Sequence, residues 1–273
     1  MNNKNNENKK FYFKHSLGQN FLKDTDLLHA IVGDACVSEN DNVLEIGAGA
    51  GALTREICNT TKGKVVAVEV DRTLAPILNK NLGECKNLDI VFEDILKVNT
   101  KDIAIWFNNE PFRVVANLPY YITTPIIFYL LESALDIKSI TIMIQQEVAD
   151  RLVAQVGTKD YGAITPILQL YGTASITRSV NKKMFMPVPK VDSKVLNIDI
   201  HKRTDIDIVK ISKCIKLCFA MRRKTLVNNL MQGYSLTREQ AETICKNSGL
   251  DIQTRAERLS LENFIKLNKT LNQ

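Results

Sequence analysis

The chain has 273 residues, 45% of them hydrophobic and 24% charged, with a formal net charge of +6; this is the makeup of a soluble globular protein. No uninterrupted apolar stretch approaches the roughly 20 residues of a membrane span. The Asn-rich start, residues 1–10, lacks the apolar stretch of a secretory signal. That much excludes membrane-embedded and exported classes and predicts a cytoplasmic protein with a polar tail over residues 1–14.

From residue 23 onward, helical periodicity alternates with short β-rich runs. Residues 25–35 read as a helix, and Asn42-Val43-Leu44-Glu45-Ile46 as a strand running into Gly47-Ala48-Gly49-Ala50-Gly51. Residues 53–59 continue as a helix. Further strands are predicted at 64–68, 88–92, 112–116 and 139–144. Strands alternating with helices specify a parallel, doubly wound α/β sheet. Two later runs, 174–180 and 194–200, have no helical pattern between them and are expected as an antiparallel hairpin at the sheet edge. Past residue 203 only helical patterns remain.

Charge divides the chain at nearly the same place. Residues 1–189 hold 20 basic and 21 acidic residues, a net −1, whereas residues 190–273 hold 16 and 9, a net +7. A near-neutral α/β domain over 15–202 followed by a basic helical domain over 203–273 suggests that the second part faces nucleic acid. Of six cysteines, none form a C-x-x-C pair, and the three histidines lie far from Cys214 and Cys218. The thiols are therefore read as buried and reduced, with no metal expected.

The Gly-rich turn after the first sheet strand lets a ligand approach the backbone closely. Glu69 closes the next strand 22 residues after Gly47, where its two oxygens can hold a ribose diol. Gly47-x-Gly49-x-x-Ala52 also satisfies the loose nicotinamide-dinucleotide pattern, which is a weak signal. Two later residues favour S-adenosylmethionine. Asp94 ends the third strand, where a carboxylate could accept from an adenine amine. Asn117-Leu118-Pro119-Tyr120 ends the fourth with acceptors beside an aromatic ring, a setting for a planar base carrying an exocyclic amine. No histidine lies between His29 and His201 to serve a dehydrogenase as proton relay.

In register along the chain stand Gly18-Gln19-Asn20-Phe21-Leu22, Glu45-Ile46-Gly47-Ala48-Gly49, Asn117-Leu118-Pro119-Tyr120, and Gln146-Glu147-Val148-Ala149 with Arg151. Phe185-Met186-Pro187-Val188-Pro189-Lys190-Val191-Asp192-Ser193 and Arg222-Arg223-Lys224-Thr225-Leu226 follow. With these segments the chain resembles the ribosomal RNA adenine N6,N6-dimethyltransferase family, in its bacterial small-subunit branch. Tyr121, where the family often has Asn, and Ala48, where Pro is frequent, are small departures.

The resemblance implies a Rossmann-like S-adenosylmethionine-dependent methyltransferase fold with a helical appendage. It further implies that Asn20 and Leu22 close over the cofactor, that Gly47 meets its amino-acid end, Glu69 the ribose and Asp94 the adenine, and that Asn117 lies between cofactor and substrate. In the expected chemistry Asn117 and the Leu118 carbonyl hold the target amine, Tyr120 stacks on the adenine and Phe185 takes its other face. Arg222, Arg223 and Lys224 are read as a phosphate-contacting cluster on a helix whose apolar side includes Leu217, Phe219, Met221 and Leu226. The implied substrate is two adjacent adenosines in a 3′-terminal hairpin loop of 16S rRNA, on the small ribosomal subunit, and the protein is expected to be monomeric. Macrolide-resistance enzymes acting on large-subunit rRNA share the N-[LI]-P-Y core but lack the R-R-K-T-L segment. A non-enzymatic ribosome-assembly factor and a nicotinamide-dependent oxidoreductase are the remaining alternatives.

Overall fold

A computed structural model describes residues 21, 22 and 24–272. The short β1 (Phe21–Leu22) is followed by α1 (Thr25–Asp34), β2 (Asn42–Ile46), α2 (Ala52–Thr60), β3 (Val65–Val68), α3 (Ala75–Leu82) and β4 (Leu88–Val91). Next come α4 (Thr100–Trp106), β5 (Phe112–Asn117), α5 (Thr123–Glu132), β6 (Ile137–Gln145), α6 (Gln146–Leu152) and α7 (Ile164–Gln169). β7 (Gly172–Val180), β8 (Phe185–Met186) and β9 (Ser193–Ile200) complete the strands. The helices α8 (Ile208–Cys218), α9 (Leu226–Tyr234), α10 (Arg238–Asn247) and α11 (Leu261–Leu271) end the chain.

Seven strands form one sheet in the order β4-β3-β2-β5-β6-β9-β7. From β4 to β6 every pairing is parallel, while β9 runs antiparallel to both β6 and β7. The expected edge hairpin is therefore present. β3 is buried along its whole length and β2 over its last four residues, as helices on both faces of a parallel sheet require. Successive strands step outward from β2 in opposite directions, to β3 and β4 on one side and to β5 and β6 on the other. The C-terminal ends of β2 and β5 thus flank the switch point at which such sheets bind ligands.

Local chemistry sets the boundaries. Asp24 caps α1 through its side chain, accepting from the Leu27 amide at 3.0 Å. Gly51 caps α2 at φ +85°, and a Cβ there would lie 2.9 Å from Leu82 Cδ1, so only glycine can end the loop this close to α3. Thr237 with Gln240 and Ser260 with Asn263 form capping boxes at α10 and α11.

The C-terminal helices share a buried apolar cluster with the sheet. An aromatic chain crosses the seam: Tyr161, fully buried, sits 6.1 Å from the Phe219 ring, which lies 5.9 Å from Phe264. The Tyr161 hydroxyl donates to the Leu259 carbonyl at 2.8 Å, which satisfies its one buried polar atom.

Two placements differ from the sequence reading. Cys214, Cys218 and Cys245 are buried as expected, but Cys58 and Cys85 are half-buried and Cys36 is exposed just past α1. Arg222, Arg223 and Lys224 do not lie on a helix but in the turn between α8 and α9. α8 stops at Cys218, and Thr225 caps α9 by accepting from the Asn228 amide. The buried Asn229 side chain holds the turn from below, accepting from the Met221 amide at 2.8 Å and donating to its carbonyl at 3.3 Å. Apolar spacing continuous across 217–226 conceals this break, because a capped turn keeps its apolar flanks in the same core.

Candidate active site

A cavity of 230 Å³ opens at the C-terminal ends of β2, β3, β4 and β5. Its lining includes Leu22, Gly47, Glu69, Asp94, Asn117, Leu118 and Tyr120. Residues from five separate stretches of sequence are thus brought to one place. Asn20 lies outside the described residues.

The floor is the Gly-rich turn. Gly47 adopts φ +84°, and a Cβ on it would come 3.5 Å from the Asn117 carbonyl. A side chain there would both strain the backbone and fill the gap between the β2 and β5 ends. Glu69, 6% exposed, braces the turn: one carboxylate oxygen accepts from the Gly49 amide at 2.8 Å and the other from the Asp71 amide at 2.8 Å. Each oxygen keeps a further lone pair for a hydroxyl donor. Burial raises the Glu69 pKa, against which the backbone amides of Asp71, Gly49 and Val70 act. Asp94 lies three residues past the end of β4, not at the strand's last position as the sequence suggests, and caps a short 3₁₀ turn by accepting from the Leu96 amide at 3.1 Å.

Glu45 enters the sequence reading only as part of a motif, yet it is the most perturbed acid of the cavity. It is fully buried beneath the Gly-rich turn, and its Oε2 has no hydrogen-bond partner. Burial, reinforced by the charge of Glu69, pushes its carboxyl up to about 8. The legible signal was a glutamate inside a strand that has no solvent face.

At the β5 end, the Leu118 amide donates to the Met143 carbonyl at 3.2 Å, so the tetrapeptide continues the sheet before Pro119 turns it away. The Thr123 hydroxyl donates to the Pro119 carbonyl at 3.1 Å. The Tyr120 hydroxyl and Ser193 Oγ are 2.7 Å apart, which anchors the ring to β9. Tyr121, which plays no part in the sequence reading of the site, also lines the cavity and is 58% exposed at its mouth.

Phe185 is not where the sequence reading puts it. It is 3% exposed, pairs through β8 with Leu22, and packs in a cluster with Leu28, Ile31, Val180 and Val195. Its ring fills the space beneath the Pro-rich loop and is absent from the cavity lining. As placed it has no open face for a base.

The three cations of the α8–α9 turn are exposed and apart from the cavity. The Arg222 guanidinium donates to the Lys159 carbonyl. Among the described residues no cluster of His, Cys, Asp or Glu could hold a metal, and no helix is long and apolar enough to cross a membrane.

The cavity's donor set suits S-adenosylmethionine. A glycine cradle open to an amino-acid end, a carboxylate with free lone pairs at the β3 end and a second carboxylate at the β4 end lie in one row. Their order follows the order of adjacent strands.

Comparison with known proteins agrees with this geometry. The small-subunit rRNA methyltransferase A of Clostridioides difficile (strain 630) is 40% identical over 266 residues, covering 96% of this chain and 92% of its own. The fold is shared with a dimethyladenosine transferase from Plasmodium falciparum, at a TM-score of 0.78 and 24% identity over 92% of this chain and 98% of that one. The 23S rRNA methyltransferase ErmE superposes with a TM-score of 0.71 at 26% identity, over 93% of this chain and all of its own. A family model described as ribosomal RNA adenine dimethylase matches residues 10–273, and the chain belongs to that family.

Proposed function

We propose that this protein dimethylates N6 of two adjacent adenosines in a 3′-terminal hairpin loop of 16S rRNA, using S-adenosylmethionine, during assembly of the small ribosomal subunit. The observation that carries the reading is the convergence of Asn117-Leu118-Pro119-Tyr120 with Gly47, Glu69 and Asp94 around one cavity. The choice of subunit is supported by 40% identity to a small-subunit enzyme against 26% to the large-subunit enzyme, and by the intact Arg222-Arg223-Lys224-Thr225-Leu226 segment.

The chemistry follows from what the amine needs. When bound, S-adenosylmethionine supplies an electrophilic methyl group and a neutral thioether leaving group. The N6 lone pair of adenine is delocalised into the ring, so the amine is a weak nucleophile. The Asn117 side-chain oxygen and the Leu118 carbonyl accept its two hydrogens and turn the lone pair toward the methyl donor. No strong base is required, because the methylated nitrogen is far more acidic than the neutral amine and loses its proton readily. Tyr120 stacks on the extruded base, worth roughly 1–3 kcal/mol. The protein's main contribution is alignment and preorganised acceptors.

In this reading residues 15–202 bind cofactor and target base, and residues 203–273 form the rRNA-facing part. Arg222, Arg223 and Lys224 then contact phosphates from their exposed turn. The test is incubation with labelled S-adenosylmethionine and undermethylated small subunits, then mapping of modified nucleosides. Dimethyladenosine at two neighbouring positions near the 3′ end is expected. Label confined to large-subunit rRNA would reassign the protein to the resistance branch.

A further inference from the structure

Two consecutive aromatic residues, Tyr120 and Tyr121, line the cavity, and the fold treats them differently. Both belong to the 3₁₀ turn Tyr120–Ile122 that leads from β5 into α5. Tyr120 is half-buried, with its hydroxyl 2.7 Å from Ser193 Oγ. Tyr121 is 58% exposed, and its hydroxyl has no hydrogen-bond partner among the described residues. Its ring belongs to none of the buried apolar clusters, although the next residue, Ile122, packs against one. The fold itself thus makes no use of this side chain. The backbone that carries it is nonetheless fixed, since the Pro119 carbonyl accepts from the Ile122 amide at 3.3 Å and from the Thr123 hydroxyl at 3.1 Å.

The turn decides which base the ring can meet. With three residues per 3₁₀ turn, neighbouring side chains leave the backbone about 120° apart. The two rings therefore cannot close on opposite faces of one base. A base drawn into the cavity keeps Tyr120 as its aromatic contact, and Tyr121 is left at the entrance. The nucleotide at the entrance is the one covalently joined to the extruded adenosine. Extrusion strips that neighbour of its stacking partner, which opposes the extrusion. An exposed ring one residue from Tyr120 offers a replacement face, and a flat face suits any base.

We propose that Tyr121 stacks on the adenosine that stays outside the cavity while its neighbour is methylated. This assignment rests on the proposed substrate of two adjacent adenosines and gives each of them its own aromatic contact. The two adenosines exchange places during the reaction. Tyr121 therefore meets an unmodified base while the first is methylated and a dimethylated base while the second is. N6,N6-dimethyladenine has no N6 hydrogen to donate, and its two methyl groups widen the apolar face available to a ring. Tyr121 then holds the finished base more firmly than the unfinished one, which favours engagement of the second adenosine once the first is complete. The ring touches no reacting atom; it positions the RNA strand that enters the cavity.

The test compares full-length wild type with Tyr121→Ala and Tyr121→Phe on undermethylated small subunits. Three quantities are read: KM and kcat for methyl transfer, affinity for S-adenosylmethionine, and the proportion of adenosine pairs with one or both bases dimethylated. Tyr121→Ala should raise KM for the particle about five- to tenfold, as loss of an exposed base–aromatic stack can, with a smaller change in kcat. It should also leave more singly modified pairs at partial conversion. Tyr121→Phe keeps the ring and should restore KM and the product ratio to within about twofold of wild type. On small subunits assembled with uridine in place of one adenosine, the smaller ring stacks less, and the alanine penalty should shrink to about twofold.

Wild-type KM and product ratio in Tyr121→Ala would overturn the proposal, as would an undiminished penalty beside uridine. A loss of S-adenosylmethionine affinity matching the rise in KM would place the ring on the cofactor and overturn it equally. If wild type leaves small-subunit rRNA unmodified, the functional reading fails and the proposal with it. If wild type and Tyr121→Ala modify that rRNA alike, only the proposal fails.

Discussion

The Tyr120 hydroxyl and Ser193 Oγ, 73 residues apart in sequence, stand 2.7 Å apart and tie the Tyr120 ring to the first residue of β9. Burial raises the Tyr120 pKa, so the phenol keeps its proton and the link persists at neutral and mildly alkaline pH. Tyr120→Phe should lower turnover by about 2- to 10-fold, matching the roughly 0.5–1.5 kcal/mol of a net hydrogen bond. Ser193→Ala should cost the same, and the double variant no more than either single change. Additive losses would show that the two groups act separately. Tyr120→Ala, which also removes the ring, should raise KM for the particle further.

Asn117→Ala should reduce kcat by roughly 10²-fold or more, as loss of one transition-state acceptor can. Affinity for S-adenosylmethionine should change far less, because Glu69, Asp94 and the Gly47 turn remain. Single-turnover rates and equilibrium titration separate the two, and near-normal turnover would remove Asn117 from the chemistry.

Glu45 makes stability depend on pH. Its folded-state pKa is raised from 4.5 to about 8, so the folded protein binds a proton that the unfolded chain has released. Its contribution is complete below about pH 4.5, declines as pH rises toward 8, and is gone above that. Glu45→Gln should flatten this decline and gain stability relative to wild type at the alkaline end. Urea unfolding across that range gives the slopes; parallel curves for the two proteins would refute a buried neutral carboxyl.

Asp41 works in the opposite sense. It is 5% exposed at its side chain and accepts from Arg113 Nε at 2.8 Å, Lys138 Nζ at 2.7 Å and the Ser38 amide at 2.9 Å. Burial alone would raise its pKa, but these donors together hold it well below the ordinary carboxylate range. The stability it provides is present above about pH 4 and is lost on further acidification. Asp41→Ala should cost about 3 kcal/mol at neutral pH, since it strands two cations, and should shrink the acid-induced drop in melting temperature. Arg113→Ala, with Lys138 still available, should cost less.

Replacing Arg222, Arg223 and Lys224 together by Ala should weaken small-subunit binding and reduce its salt slope by up to about 0.7–0.9 for each phosphate left without a cation. The turn is held from within by Asn229 and capped by Thr225, so thermal stability should hold. An unchanged slope would mean that these head groups face solvent alone.

The sheet was legible because its inner strands β2, β3, β5 and β6 are largely buried and read as apolar runs; β2 through β6 fall where the runs do, and the edge hairpin follows from the missing helix between its strands. The cavity was legible for a related reason: Gly47, Glu69, Asp94 and Asn117 lie at or just past the C-terminal ends of β2, β3, β4 and β5, and parallel strands bring those ends to one edge. Phe185 escaped because local sequence cannot say which side of a loop a ring faces, and here the partner that buries it, Leu22, lies far away in the chain. The turn at 222–224 escaped because a capped break leaves apolar spacing intact. Glu45 needed a count of buried faces, since a carboxylate at a strand's core position has no signature apart from its neighbours.

The ladder of two residues between β1 and β8 pairs Leu22 with Phe185 and Phe21 with Met186. Leu22 forms part of the cofactor cavity's wall, while Phe185 opens the Pro-rich loop that leads to Tyr120's anchor. The two-residue ladder thus joins one wall of the cavity to the start of the loop that ends at Ser193. Whatever factor the donor adds to the protein's hold on RNA, RNA must add to its hold on the donor, so the order of loading can differ between conditions while the assembled complex stays the same.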